Sequence, residues 1–165
     1  MSAVFVSLDP GQRTGVAVWS NDQRRALVPP LTVDYWTATE GDWALRCRAL
    51  GFKLHGFLST NRNRGVSNVI CELPAFFEGE KGHAAAAKGD VVKLSYLVGV
   101  YAGMCHAQGV GFTLVPVREW KGQLSKKIVA ARIRKRIGDQ ALDDMEFHGD
   151  IWDAVGIGLY VKGHF

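Results

Sequence analysis

Cysteine is scarce in this chain and does not pair. Cys47, Cys71 and Cys105 are odd in number and lack a C-x-x-C spacing, which excludes a disulfide framework and a zinc cluster. Each stands among apolar neighbours, the setting of a small buried hydrophobe in a reducing cytoplasm. A long hydrophobic run is also missing. The most apolar segment, Val91 to Cys105, falls short of the ~20 residues of a membrane span and is interrupted by Lys93 and Ser95. The N-terminus has neither a basic n-region nor a cleavage site, so no secretory signal is expected and the cytoplasm is the expected compartment. Internal repeats and linker-like breaks in composition are absent, so residues 1–165 read as one domain. With 47% hydrophobic and 22% charged residues, the composition is that of a folded globular protein rather than a disordered one.

Acid is nearly absent from one stretch. Between Arg118 and Arg136 eight bases face only Glu119, a local charge of +7, so the rest of a chain of net charge +4 carries −3. The next stretch reverses the sign: Asp139, Asp143, Asp144, Glu146, Asp150 and Asp153 occur with no Lys or Arg among them. Such a pair is either a solvated face laced with ion pairs or the mark of a metal-dependent enzyme acting on a polyanion.

Periodicity organises the chain. Residues 3–8 and 14–19 are β-branched and aromatic runs joined by a Pro-Gly turn, and 31–37 is a third strand after Pro29-Pro30. Over 41–58, Trp43, Leu45, Leu50, Leu54, Phe57 and Leu58 recur at helical spacing. Ser67–Glu72 is a buried-type strand. The Gly/Ala-rich PAFFEGEKGHAAAAKGD then forms a loop leading into a helix, Asp90–Gln108, that is apolar almost all round. Its Gly99 and Gly103 permit close packing, so it is either a core helix or a dimer face. A strand at 111–117, a basic helix ending near Ile137 and a last helix near 149–162, broken by Gly156 and Gly158, complete the chain. The order β-β-β-α-β-α-β-α-α predicts an α/β fold, with a mixed five-stranded sheet and helices on both faces.

The acids fall at telling places on this framework. Asp9 ends the first strand, where Val or Ile would be the ordinary choice, and Glu72 ends the fourth. A right-handed crossover would seat the fourth strand beside the first and bring both acids to one sheet edge. Asp150 and Asp153 are three apart and share one face of the last helix. Carboxylates gathered bare repel one another. Oxygen-only donors suit Mg²⁺ or Mn²⁺ rather than zinc, and two such ions activate a water and stabilise the leaving oxygen in phosphodiester cleavage. Asp9 would then be the bridging ligand. The plainer alternatives are a helix N-cap for Asp150 and a surface or supporting role for His148.

Taken in this order, LDPGQRTGVAVW, VICELPAFF and HGDIWDAVGIGLY resemble the three acidic motifs of RuvC-type Holliday junction resolvases. The similarity runs over nearly the whole chain, including the apolar helix after the second motif and REWKGQLSKK before the basic helix. It implies a ribonuclease H-like fold, a homodimer joined through helix 90–108, two Mg²⁺ (or Mn²⁺) ions per active site and paired nicking of four-way DNA junctions. It carries the metal-binding catalytic role to Asp9, Glu72, Asp150 and Asp153, although some relatives hold His where Asp150 stands. A place near the scissile phosphate falls to Lys121, and a second to Lys126 or Lys127, with Arg132 a further DNA contact on the basic helix. Phe76 and Phe77 follow Glu72 as an aromatic does at the family's junction centre. One of the pair is expected to stack on an unpaired base and the other to be core. The Pro-Pro segment and the short loop after Lys121 mark a divergent bacterial or phage member and leave the breadth of branched substrates open. The DPG…TG motif is shared with actin-like kinases and YqgF-like proteins. The chain is too short for a two-lobed kinase cleft, which leaves a YqgF-like RNA nuclease and a non-catalytic branched-DNA-binding protein as alternatives.

Overall fold

Strands β1 (Val4–Asp9), β2 (Arg13–Ser20) and β3 (Thr32–Thr37) form an antiparallel meander. Helix α1 (Trp43–Thr60), a 3₁₀ turn at Arg62–Arg64, β4 (Val66–Leu73), α2 (Asp90–Ala107) and β5 (Gly111–Pro116) follow. The chain ends in a one-turn helix α3 (Val117–Trp120), then α4 (Lys126–Ile137) and α5 (Gly149–Val161). The computed structural model describes residues 3–21, 29–75, 88–138 and 149–165. Its sheet has the order β3-β2-β1-β4-β5, with β4 parallel to both β1 and β5. The sheet is therefore mixed, and β1 lies beside β4 as the crossover argument requires. No helix among the described residues is long and apolar enough to cross a membrane.

Both faces of the sheet are covered, which is why β1 reads as a nearly continuous apolar run rather than an alternating one. On one face Val4, Val6 and Leu8 of β1 join Val69 and Cys71 of β4 against Leu50 and Leu54 of α1 and Leu97, Tyr101 and Cys105 of α2. On the other, Phe5, Ala17, Trp19 and Ile70 pack against Ile151, Ala154 and Ile157 of α5 and Val129 and Ile133 of α4. The period of two along a strand then assigns the remaining positions. Ser7 and Asp9 follow Phe5, and Glu72 follows Ile70, onto the α5 face. Ser7, fully buried, donates to the Ala154 carbonyl at 2.7 Å and accepts from Trp19 Nε1 at 2.9 Å, tying β1 to α5.

Three details differ from the sequence pattern. Helix α1 begins at Trp43 because the Asp42 carboxylate caps it, accepting from the Ala44 and Leu45 amides at 2.8 and 3.1 Å. The basic helix is split. Gly122 turns the chain with φ of +55°, and Ser125 caps a new start, so Lys121 sits in a turn between α3 and α4 instead of inside a helix. Gly156 and Gly158 do not interrupt α5: a Cβ at either would fall on the ring of Trp120 or Trp19, so their bareness admits the two indoles. Helix α2 has two characters. Leu97, Val98, Tyr101 and Cys105 are buried, while Val92 and Tyr96 remain 68% and 48% exposed on the opposite side. All three cysteines are free and buried, as expected of small hydrophobes.

Candidate active site

The carboxylates meet where β1 and β4 end beneath α5. Leu8 pairs with Cys71 in the parallel register, so Asp9 and Glu72 stand side by side one step later. Across the hairpin Asp9 pairs with Gly15. A Cβ at Gly15 would collide with the Asp150 carbonyl oxygen, so the missing side chain lets the first turn of α5 lie directly on β2. That contact sets the height at which Asp150 and Asp153 face the sheet. The turn itself is pinned by buried Thr14, whose Oγ1 lies 2.7 Å from the Tyr101 hydroxyl and donates to the Gly11 carbonyl at 3.3 Å.

Lys121 lies among these acids. Its Nζ donates to Asp153 Oδ2 at 2.8 Å and stands 3.5 Å from Glu72 Oε2, with all three side chains largely shielded from water. Trp120 Nε1 donates to the same Glu72 oxygen at 2.9 Å, and the Lys121 ammonium lies 4.6 Å from the Trp120 ring centre. Asp153 is 3% exposed, and its second oxygen, Oδ1, is buried with no hydrogen-bond partner among the described residues. Asp150 is drawn aside. Arg13 Nε is 3.7 Å from its Oδ2, and the Arg13 guanidinium also stacks 5.1 Å from the Tyr35 ring centre.

The electrostatics follow from this crowding. Burial holds the Asp9 carboxyl well above the usual range, and Glu72 and Asp153 push it further; Lys121 and Lys126 oppose them only in part. Burial also raises Glu72, against the Lys121 charge and the Trp120 hydrogen bond, with Asp153 adding to the rise. For Lys121 burial favours the neutral amine, but Glu72, Asp153 and Asp9 outweigh it and leave the group more basic than an ordinary lysine. The Lys121 side chain is therefore an ammonium at neutral pH.

The structure thus brings Asp9, Glu72, Asp153 and Lys121 together, while Asp150 pairs with Arg13. Lys126, Lys127 and Arg132 are exposed on α4; of these, Lys126 is near enough for its charge to act on Asp9, and Arg132 lies 5.8 Å from the Phe165 ring centre. Phe76, Phe77 and His148 lie outside the described residues. Arg13, Gly15 and Trp120 belong to the site without having been singled out. Arg13 and Gly15 are inside DPGQRTG and Trp120 inside REWK, but their roles depend on contacts with residues 150 and 72, which no local pattern reports.

The chemistry of the donors fits a hard divalent cation: the four acids offer only carboxylate oxygens, and the buried, unpartnered Asp153 Oδ1 is one that a cation would satisfy. Their present arrangement is not yet a ligand shell. Among the described residues no group of three acidic, His or Cys side chains is gathered to hold a metal ion. Lys121 stands 3.5 Å from Glu72 and 2.8 Å from Asp153, and Arg13 is paired with Asp150 at 3.7 Å.

No protein-family model and no curated protein matches the sequence. Solved structures do. Thermus thermophilus RuvC superposes with a TM-score of 0.69 at 18% identity, covering 98% of this chain and 97% of that one. The fold is that of the RuvC-type resolvases. The same protein in complex with a Holliday junction substrate gives 0.67 at 17% identity, over 95% of this chain and 90% of that one. The fowlpox virus Holliday junction resolvase gives 0.55 at 13% identity, over 97% of each chain. The likeness to the RuvC fold spans all five strands of an α/β, RNase H-like sheet with helices on both faces.

Proposed function

We propose that this chain is a metal-dependent, structure-selective DNA endonuclease that resolves four-way junctions by paired nicks. The observation that carries this reading is the meeting of Asp9, Glu72 and Asp153 on one face of a RuvC-type sheet, with Asp153 Oδ1 buried and unpartnered. A stable fold has no use for three crowded carboxylates, and binding alone does not require them. Asp9, Glu72, Asp150 and Asp153 would hold two Mg²⁺ ions, or Mn²⁺ in their place. Bound there, divalent ions supply an activated water and stabilise the leaving oxygen of a phosphodiester.

The chain's own residues do the rest. Trp120 fixes one Glu72 oxygen, and Gly15 and Ser7 fix the height and tilt of α5 over the sheet. Lys121 places a permanent positive charge beside the acids, where charge develops on a scissile phosphate. Lys126, Lys127 and Arg132 present α4 to the backbone of a DNA arm, with Lys126 nearest the acids, and Arg132, Lys135, Arg136 and Phe165 line a groove farther along. One of Phe76 and Phe77 is proposed to meet the junction centre. The exposed side of α2, with Val92, Tyr96 and the bare Gly99 and Gly103, is proposed as the homodimer face. A two-fold dimer would match a two-fold junction and make the nicks paired.

The test is cleavage of a synthetic four-way junction in Mg²⁺, beside linear duplex, a Y-fork and single-stranded RNA, with Asp9→Asn as the control. Symmetric nicks in the junction alone, lost in the variant, are expected. Junction binding with no cleavage in Mg²⁺ or Mn²⁺ would replace the enzyme by a branched-DNA-binding protein. Cleavage confined to RNA would replace it by an RNA nuclease.

A further inference from the structure

We propose that the Lys121 ammonium is a built-in placeholder for a divalent cation. It holds Glu72 and Asp153 together while no metal is bound and withdraws from between them when metal binds. The inference rests on the metal-dependent reading above, but concerns a step before any chemistry.

Three observations carry it. The ammonium sits 2.8 Å from Asp153 Oδ2 and 3.5 Å from Glu72 Oε2, where a cation joining these two acids would have to be. The side chains of Lys121, Glu72 and Asp153 are only 16%, 14% and 5% exposed, so water screens their mutual charges poorly and an uncompensated pair of acids there would be costly. Asp153 Oδ1, buried beside this bridge, has no partner among the described residues: one ammonium does not complete the shell.

Lys121 also has somewhere to go. It lies in the turn between α3 and α4 rather than within a helix, next to Gly122 at φ +55°, and its ammonium already lies 4.6 Å from the Trp120 ring centre. Withdrawal frees the ammonium for a phosphate oxygen. Metal loading and phosphate contact would thus be coupled through one side chain. Lys126 supplies the internal comparison: its charge also acts on Asp9, yet it is exposed and takes no part in the bridge between Glu72 and Asp153.

The experiment is Mn²⁺ binding to the free protein, without DNA, followed by electron paramagnetic resonance for wild type, Lys121→Met, Lys126→Met and Asp9→Asn. Removing a competing charge in direct contact with the acids is expected to tighten Mn²⁺ binding about tenfold or more. Removing an exposed one should change it by no more than about twofold. Unchanged or weaker binding in Lys121→Met overturns the placeholder, and loss of binding in Asp9→Asn still upholds the metal site. Equal tightening in Lys126→Met overturns it as well, because diffuse charge then accounts for the effect. If neither wild type nor Lys121→Met binds Mn²⁺, the metal-dependent reading itself fails. Should Lys121→Met not fold, ¹⁵N-lysine-labelled wild type decides. The shielded Lys121 ammonium should give a slowly exchanging signal that is lost as Mg²⁺ is added, and persistence of that signal at saturating Mg²⁺ overturns the proposal.

Discussion

Replacing Asp9 with Asn removes a negative charge from the most crowded point of the site while keeping the side-chain shape, and in EDTA it should stabilise the protein. Burial is the largest cause of the raised Asp9 carboxyl, and Glu72 and Asp153 add to it. Relieving that burial and repulsion is expected to stabilise the protein at pH 7.5 by about 1 kcal/mol, the scale of an ordinary single substitution, less whatever hydrogen bonds the new amide fails to make. In a chain of this size that is a rise in Tm of about 3 °C. The sign with pH follows from the raised value. Wild type loses nothing below the unfolded Asp pKa of about 3.9 and loses stability progressively as pH climbs through the higher folded value. The advantage of Asn should therefore be small near pH 4, grow with pH and then level off. Mg²⁺ should reverse the order by stabilising wild type alone. Thermal unfolding in EDTA and in Mg²⁺, from pH 4 to 8, measures all of this. An Asn variant less stable than wild type at pH 7.5 in EDTA, or an advantage independent of pH, would refute the account of a strained carboxylate cluster.

Three further outcomes are expected. Gly15→Ala should abolish junction cleavage while costing only about 1–3 kcal/mol of stability, because its Cβ meets the Asp150 carbonyl and lifts the first turn of α5 from β2; cleavage at the wild-type rate in a folded variant would show that this contact does not set the site. Trp120→Phe keeps a ring against Gly156 but loses the 2.9 Å hydrogen bond to Glu72, and should lower stability by ~1–2 kcal/mol in a denaturant titration; a neutral result would leave packing as the only role of the indole. Arg132→Gln with Arg136→Gln should reduce the slope of log K for junction binding against log salt concentration by about 1–2; an unchanged slope would remove the α4 groove from the DNA interface.

What the sequence made legible was whatever depends on period and chain order. The two-residue period of β1 places Asp9 on the same face as Phe5 and Ser7, the crossover places Glu72 beside it, and both follow from patterns local to one strand. The split of the basic helix was less visible because Gly122 and Ser125 stand among strongly helix-compatible neighbours, and their effect on Lys121 appears only once α3 is seen to stop at Trp120. Gly156 and Gly158 were misleading for a related reason. Glycine in a helical pattern reads as weakness, yet here each makes room for an indole from a distant element, one of which reaches on to Glu72. The pairing of Arg13 with Asp150, and of Lys121 with Glu72 and Asp153, joins residues up to 137 positions apart and has no signature in either segment alone. A reading of the acids by themselves yields a metal site complete on paper, whereas the folded chain meets the same repulsion with its own Lys and Arg. Lys121 is what joins Glu72 and Asp153 in the folded chain, and on the proposal above a divalent ion would bind there by displacing it.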